Sequence, residues 1–242
     1  MPRASNVEAM SWKPFLEWFK DAWKQGEHIA LIGPTGTGKT TFACGILPQR
    51  KYVLALDPKG GDSTLASLQV KGFRRSSWPP TRQDRKDIAE GRPVRLIVGM
   101  PIVKKEDMEA HKGLLQAALD GAFEEGGWTV YLDELQMAAD RRMMGLTNSI
   151  ERNMIAARDR GVSMVTSFQR PAYVPRAASD QSTWLAVWIT RDVDVVNRLA
   201  EMAGRPKAEI RGAVAGLERY DLLLFSRIPT EPIRVIHPPK SG

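Results

Sequence analysis

The 242-residue sequence has one cysteine, Cys44. A single thiol excludes an intrachain disulfide, so a disulfide-stapled secreted scaffold is ruled out and a reducing cytoplasm is the expected compartment. Long apolar runs are also missing. Stretches such as Trp184 to Ile189 fall far short of the roughly 20 residues a helix needs to cross a bilayer, which leaves no membrane span in the sequence. Residues Met1 to Met10 lack the apolar core of a secretory leader. No repeat or low-complexity tract occurs, and 43% hydrophobic with 26% charged residues excludes disorder and collagen. The length fits one α/β domain, or one with a small appendage.

The chain carries 35 Lys and Arg against 28 Asp and Glu, a net +7, and the excess is clustered. Lys71 to Arg95 holds eight basic residues against three acids, and Arg141 to Arg170 holds six against two. Clustered positive charge favours a polyanion partner through phosphate neutralisation, the alternative being solvated surface.

Residues 1–25 read as an N-terminal amphipathic helix and its lead-in. Trp12, Phe15, Leu16, Phe19 and Trp23 recur at helical spacing, with Lys13, Lys20 and Lys24 pointing elsewhere. Docking on the domain or on a neighbouring subunit is favoured over a membrane surface, because the segment runs directly into a core strand. Residues 26–242 then alternate strand and helix. Strands are predicted at His28 to Ile32, Tyr52 to Leu56, Val94 to Val98, Trp128 to Leu132, Val162 to Ser167, Leu185 to Thr190, Tyr220 to Phe225 and Ile233 to Ile236. Helices are predicted at Lys39 to Ile46, Glu106 to Phe123, Asn148 to Arg158, and Val193 to Ala203 between the caps Asp192 and Gly204. Such alternation implies a mostly parallel sheet covered on both faces, with the last two strands as an antiparallel edge addition. Arg74 to Pro93, with Pro79 and Pro80, reads as a long loop or small insertion.

Gly33-Pro-Thr-Gly-Thr-Gly-Lys-Thr40 matches the phosphate-loop pattern G-x-x-x-x-G-K-S/T between an apolar strand and a helix-forming run. Gly33, Gly36 and Gly38 let backbone N–H groups of the loop, which includes Pro34, Thr35 and Thr37, fold around phosphates at the positive end of the next helix. Lys39 would reach the β and γ phosphates, Thr40 would offer its hydroxyl to Mg²⁺, and Thr41 continues the cradle. Trp128 to Leu132 ends on Asp133 and Glu134, the acids a phosphate loop needs. Asp133 would hold Mg²⁺ and Glu134 would deprotonate the attacking water. Neither N-K-x-D nor T-K-x-D occurs, so ATP is the default nucleotide. Gln169 ends another strand; if that strand lies beside the phosphate-loop strand, Gln169 would sit near the γ phosphate.

Four segments in order carry a family resemblance: Gly26 to Thr40, Leu56-Asp-Pro-Lys-Gly60, Leu132-Asp-Glu134, and Arg158 to Pro171 with its Ser-Phe-Gln-Arg-Pro ending. In these the chain resembles the FtsK/HerA superfamily of ring-forming DNA-pumping ATPases, over nearly all of Gly26 to Phe225. The resemblance implies a RecA-like P-loop core, ATP and Mg²⁺, and a homo-oligomeric ring, pentamer or hexamer, around double-stranded DNA. It implies a trans-acting arginine finger at Arg158, with Arg160 and then Arg152 behind it. The small size looks most like compact viral genome-packaging ATPases, which would dock at a capsid vertex. A conjugative or chromosome-processing translocase, and a nucleotide-dependent assembly switch that moves no DNA, are the competing readings. Lys59, Arg141 and Arg142 are the candidate DNA grips, since basic loops contact phosphates without reading sequence.

Overall fold

Apolar runs without alternation must be buried on both sides, and here they line up in one sheet. In a computed structural model that describes residues 7–227 and 231–239, ten strands form it. They are β1 (Val7–Ser11), β2 (His28–Ile32), β3 (Tyr52–Leu56), β4 (Arg74–Ser76), β5 (Val94–Val98), β6 (Thr129–Leu132), β7 (Ser163–Phe168), β8 (Ser182–Trp188), β9 (Leu222–Ser226) and β10 (Ile233–His237). The spatial order is β1-β10-β9-β8-β2-β7-β6-β3-β5-β4. Every residue of β2, β6, β7 and β9 is buried, as strands covered on both faces require.

Among the described residues β9 alone runs against the rest, pairing antiparallel with both β8 and β10. The antiparallel addition is therefore present, yet the outermost strand is β1, paired in parallel with β10 from Val7 opposite Ile233 to Ser11 opposite His237. Its side chains are mostly exposed and carry no apolar alternation, so no sequence signal marks it.

The helices are α1 (Trp12–Ala22), α2 (Lys39–Ile46), α3 (Ser63–Ala66), α4 (Arg82–Ala89), α5 (Lys105–Glu125), α6 (Leu135–Ala139), α7 (Thr147–Ala156), α8 (Arg176–Asp180), α9 (Val193–Ala203) and α10 (Lys207–Ala215). α1 and α2 cover one face through Phe15, Phe19 and Phe42, which pack on Trp184 and Trp188 of β8. On the other face α5, α7, α9 and α10 contribute Leu119, Ile150, Leu199 and Val214. The rings of Trp12 and Phe15 meet Phe42 at 5.7 and 5.6 Å, and Phe19 meets Trp184 edge-on at 5.3 Å. α1 thus docks on its own domain, and the face it would need for a membrane surface is buried. Asp192 accepts from the N–H groups of Asp194 and Val195 to open α9, and left-handed Gly204 ends it, as its sequence predicts.

The segment 74–93 departs from the loop expectation. β4 pairs with β5, and Thr81 opens α4 with a capping box: its hydroxyl accepts from the Asp84 N–H while the Asp84 carboxylate accepts from the Thr81 N–H at 2.8 Å. The basic residues here are largely engaged within the fold. Arg74 pairs with Asp84, Arg75 with buried Asp57, Arg85 with Glu125 and Arg92 with Asp87, while Arg95 donates to the carbonyls of Pro48 and Arg50. Much of the positive charge of this segment is thus balanced by acids of the same chain.

His28, at the start of β2, is buried and accepts from the Met164 N–H at Nδ1 (2.9 Å), so its proton sits on Nε2 and faces the Met154 carbonyl at 3.1 Å. Burial lowers its pKa from 6.5 to about 4, opposed by the Met154 carbonyl and aided by Arg158. Below its ordinary pKa the unfolded chain binds the proton that the folded chain refuses. The stability that neutral His28 contributes is therefore complete above pH 6.5 and falls away as pH drops toward 4, by about 2–3 kcal/mol. Denaturant unfolding across this range should show that loss in the wild type and a flatter acid limb in His28→Gln.

Candidate nucleotide site

All the functional loops leave the sheet at the edge where its parallel strands end. β2 runs into Gly33–Gly38, and α2 starts at Lys39. Gly36 (φ 77°) and Gly38 (φ 103°) adopt left-handed backbone that glycine accepts without steric cost. At Gly33 a Cβ would lie 2.8 Å from Cβ of Trp188, so only glycine fits against β8. Thr37 Oγ1 donates to the Pro34 carbonyl at 2.8 Å and closes the loop. Lys39 reaches back over it, with Nζ donating to the Gly33 and Pro34 carbonyls, both at 2.8 Å. Burial lowers the Lys39 pKa, a tendency that Asp133 and Glu134 oppose.

The strand order places β7 between β2 and β6, so Asp133 stands one strand further from the phosphate loop than an immediate neighbour would. It still closes the site. Thr40 Oγ1 donates to Asp133 Oδ2 at 3.0 Å, and the Glu134 N–H donates to Asp133 Oδ1 at 3.0 Å. Glu134 has φ 47° and ψ 52°, a left-handed conformation that costs a non-glycine residue about 1–2 kcal/mol. Its Oε1 accepts from Lys59 Nζ at 3.0 Å. β7 lies beside β2, the condition set for Gln169, which at the end of β7 donates from Nε2 to Thr35 Oγ1 at 2.9 Å.

Lys39, Thr40, Asp133 and Glu134 border a cavity of about 260 Å³, which Lys59 also lines. Its chemistry suits a nucleotide. Lys39 and the loop amides supply the positive groups that phosphates need. The Thr40 hydroxyl and Asp133 carboxylate are the hard oxygen ligands Mg²⁺ prefers, and two of them leave room for phosphate and water oxygens.

Sequence reasoning missed a second cavity, of about 140 Å³, that adjoins the first. The two share Gly38, Thr41 and Tyr220, and Trp12, Phe42 and Pro238 complete its wall. Tyr220 is left-handed (φ 76°) and carries the Arg219 guanidinium 4.8 Å over its ring. The sequence pattern starts the strand at Tyr220, whereas β9 begins at Leu222. Trp12 and Pro238 come from opposite ends of the chain, and no local pattern could bring them together.

Arg158 and Arg160 lie elsewhere. α7 stops at Ala156 instead of running to Arg158, and Arg158–Arg160 form a 3₁₀ turn ended by left-handed Gly161. The turn sits at the start of β2, where a Cβ on Gly26 would be 2.9 Å from the Arg158 carbonyl; this is the opposite end of the sheet from the phosphate loop. Arg160 lies over Phe123 at 4.8 Å, and Arg152 lies over the same ring and pairs with Asp120 at 2.6 Å. Arg158 is exposed and makes no ion pair among the described residues. None of the three can serve the site of its own chain. Arg141 and Arg142 project from the exposed turn after α6, held by the Asp140 carbonyl, which accepts from Met144 and Gly145, and both lack an ion pair among the described residues.

No family model and no curated protein matches the sequence. Solved structures match in fold. The genome packaging NTPase B204 from Sulfolobus turreted icosahedral virus 2 is 17% identical over 88% of this chain and 97% of its own, with a TM-score of 0.58. The DNA-packaging ATPase B204 from Sulfolobus turreted icosahedral virus is 15% identical over 90% and 100%, with a TM-score of 0.59. VirB4 of Thermoanaerobacter pseudethanolicus is 10% identical over 89% and 90%, with a TM-score of 0.62. The chain shares its fold with B204 and VirB4. That fold spans nearly the whole length of both, and among the described residues no helix is long and apolar enough to cross a membrane.

Proposed function

We propose that the protein is an ATP-hydrolysing motor that translocates double-stranded DNA, packaging a viral genome into a capsid from the host cytoplasm. The observation that carries this reading is the convergence of Lys39, Thr40, Asp133, Glu134 and Gln169 on one sheet edge, within a fold shared with B204. B204 itself has been solved with ATPγS, AMPPCP and AMP.

Bound Mg²⁺-ATP supplies the transferable phosphoryl group and the cation that neutralises its charge. Lys39 exchanges its two loop carbonyls for phosphate oxygens. Thr40 and Asp133 would hold the metal, and Glu134 would take the proton of the attacking water. Gln169, already bonded to the phosphate loop, registers whether a γ phosphate is present. The base rests in the cavity of Trp12 and Tyr220. An arginine must come from elsewhere to stabilise transition-state charge, and Arg158, turned away from its own site, meets that need in a homo-oligomeric ring of five or six subunits.

Arg141 and Arg142 grip the DNA backbone. Duplex DNA of any sequence should stimulate ATP turnover, with affinity falling steeply as salt rises. Arg141→Ala with Arg142→Ala should reduce the stimulation, leave basal turnover near wild type, and lower the slope of log affinity against log salt by about 2. Turnover indifferent to duplex DNA, or affinity unchanged by salt, contradicts the DNA reading.

A further inference from the structure

Two fully buried polar side chains, Asp57 and His111, hold the loop from Asp57 to Asp62. The Asp57 carboxylate, fully buried, accepts from the N–H groups of Gly60 and Asp62, both at 3.1 Å, and pairs with Arg75 at 3.4 Å. His111, also fully buried, accepts from the Met100 N–H at Nδ1 (3.1 Å), which leaves the proton on Nε2 to donate to the Pro58 carbonyl at 3.2 Å. Gly60 is left-handed (φ 72°), and a Cβ there would stand 2.2 Å from the Met100 carbonyl oxygen. These constraints fix a loop whose one outward-reaching charged side chain between Asp57 and Asp62 is Lys59. Lys59 is half-exposed and meets Glu134 at 3.0 Å, with Asp62 at 3.9 Å behind it.

At the other end of this pair, Glu134 is held twice. Its N–H is bonded to Asp133 and its carboxylate to Lys59, and its backbone is left-handed, a state that persists only where surrounding contacts impose it. A carboxylate bound to an ammonium group has an oxygen occupied that a general base needs free for water.

We propose that Lys59 is a positioning residue that latches Glu134 in an idle state until a phosphate oxyanion draws the ammonium away. This rests on the reading of Glu134 as the base of an ATPase. Partial burial favours the neutral amine, but Glu134, Asp133 and Asp62 outweigh it and raise the Lys59 pKa, so the group stays cationic and competent to exchange one oxyanion for another. The phosphate comes either from a DNA backbone at the exposed side of Lys59 or from the nucleotide in the cavity it lines.

Steady-state turnover with and without duplex DNA, across ATP concentrations, tests the latch in wild type, Lys59→Met and Lys59→Arg. An exposed ion pair is worth about a 1.4- to 5-fold change, so Lys59→Met should hydrolyse ATP up to about fivefold faster than wild type without DNA, with Lys59→Arg near wild type. If DNA adds nothing further to Lys59→Met, the DNA backbone is the release. If instead the wild type reaches the variant's rate at saturating ATP and DNA stimulation persists, the nucleotide is. A Lys59→Met enzyme that is slower than, or equal to, wild type under all conditions overturns the latch while wild-type turnover upholds the ATPase. Absence of turnover from the wild type overturns the ATPase reading and the latch with it. In the ligand-free protein, the melting shifts of Lys59→Met and Glu134→Gln should be non-additive; additive shifts from folded variants overturn the pairing itself.

Discussion

Glu134→Gln is expected to bind ATP about as well as the wild type and to turn it over about 10²–10⁴-fold more slowly, the usual contribution of a positioned general base. Lys39→Ala is expected to lose both binding and turnover. The two differ because their side chains act at different stages. Lys39 Nζ already spans the phosphate loop, 2.8 Å from two carbonyl oxygens, and its charge meets phosphate in ground and transition states alike. Glu134 touches Lys59 and Asp133 but no residue of the phosphate loop, so an isosteric amide preserves the cradle and removes only proton transfer. Calorimetric titration with a nonhydrolysable analogue, beside a phosphate-release assay, separates the effects. Near-normal turnover by Glu134→Gln removes it as the base.

Arg158→Ala should lower turnover about 10³–10⁵-fold if its guanidinium acts as a finger on a neighbouring subunit. The residue is exposed at the start of β2, the end of the sheet away from its own phosphate loop, so any loss of hydrolysis must be exerted in trans. Mixing Arg158→Ala with Glu134→Gln subunits then restores part of the activity, because some interfaces join an intact arginine to an intact glutamate. Neither pure mutant forms such an interface. Verified co-assembly without recovery, or full activity in Arg158→Ala alone, excludes Arg158 and moves the test to Arg160, whose stacking on Phe123 would first have to break.

The central part of this architecture is legible from sequence because its signals are local. β2, β3 and β5 and helices α2 and α9 occupy the predicted residues end to end, since apolar runs, caps and glycines mark both limits. The phosphate loop and the Asp133–Glu134 pair follow from spacing alone. What escaped rests on a faint local signal or on distant partners. α4 has no apolar face to detect, and its start is written only in the Thr81–Asp84 capping box. The basic run from Lys71 to Arg95 reads as unbalanced charge until Asp57, Asp84 and Glu125 are brought against it. The sequence pattern carries the helix two residues too far, to Arg158, because an apolar periodicity cannot show that Ala157 and Gly161 turn the chain out of α7. The Lys59–Glu134 contact joins two motifs that are separately visible, but only the pairing of β3 with β6 sets their ends side by side.

The most direct test of the motor is displacement of a triplex-forming oligonucleotide from linear duplex DNA. With Mg²⁺ and ATP the wild-type protein should strip the third strand, at a rate that tracks ATP turnover. Glu134→Gln, or a nonhydrolysable analogue, should leave it in place. Steady ATP hydrolysis with no displacement of the third strand would contradict translocation.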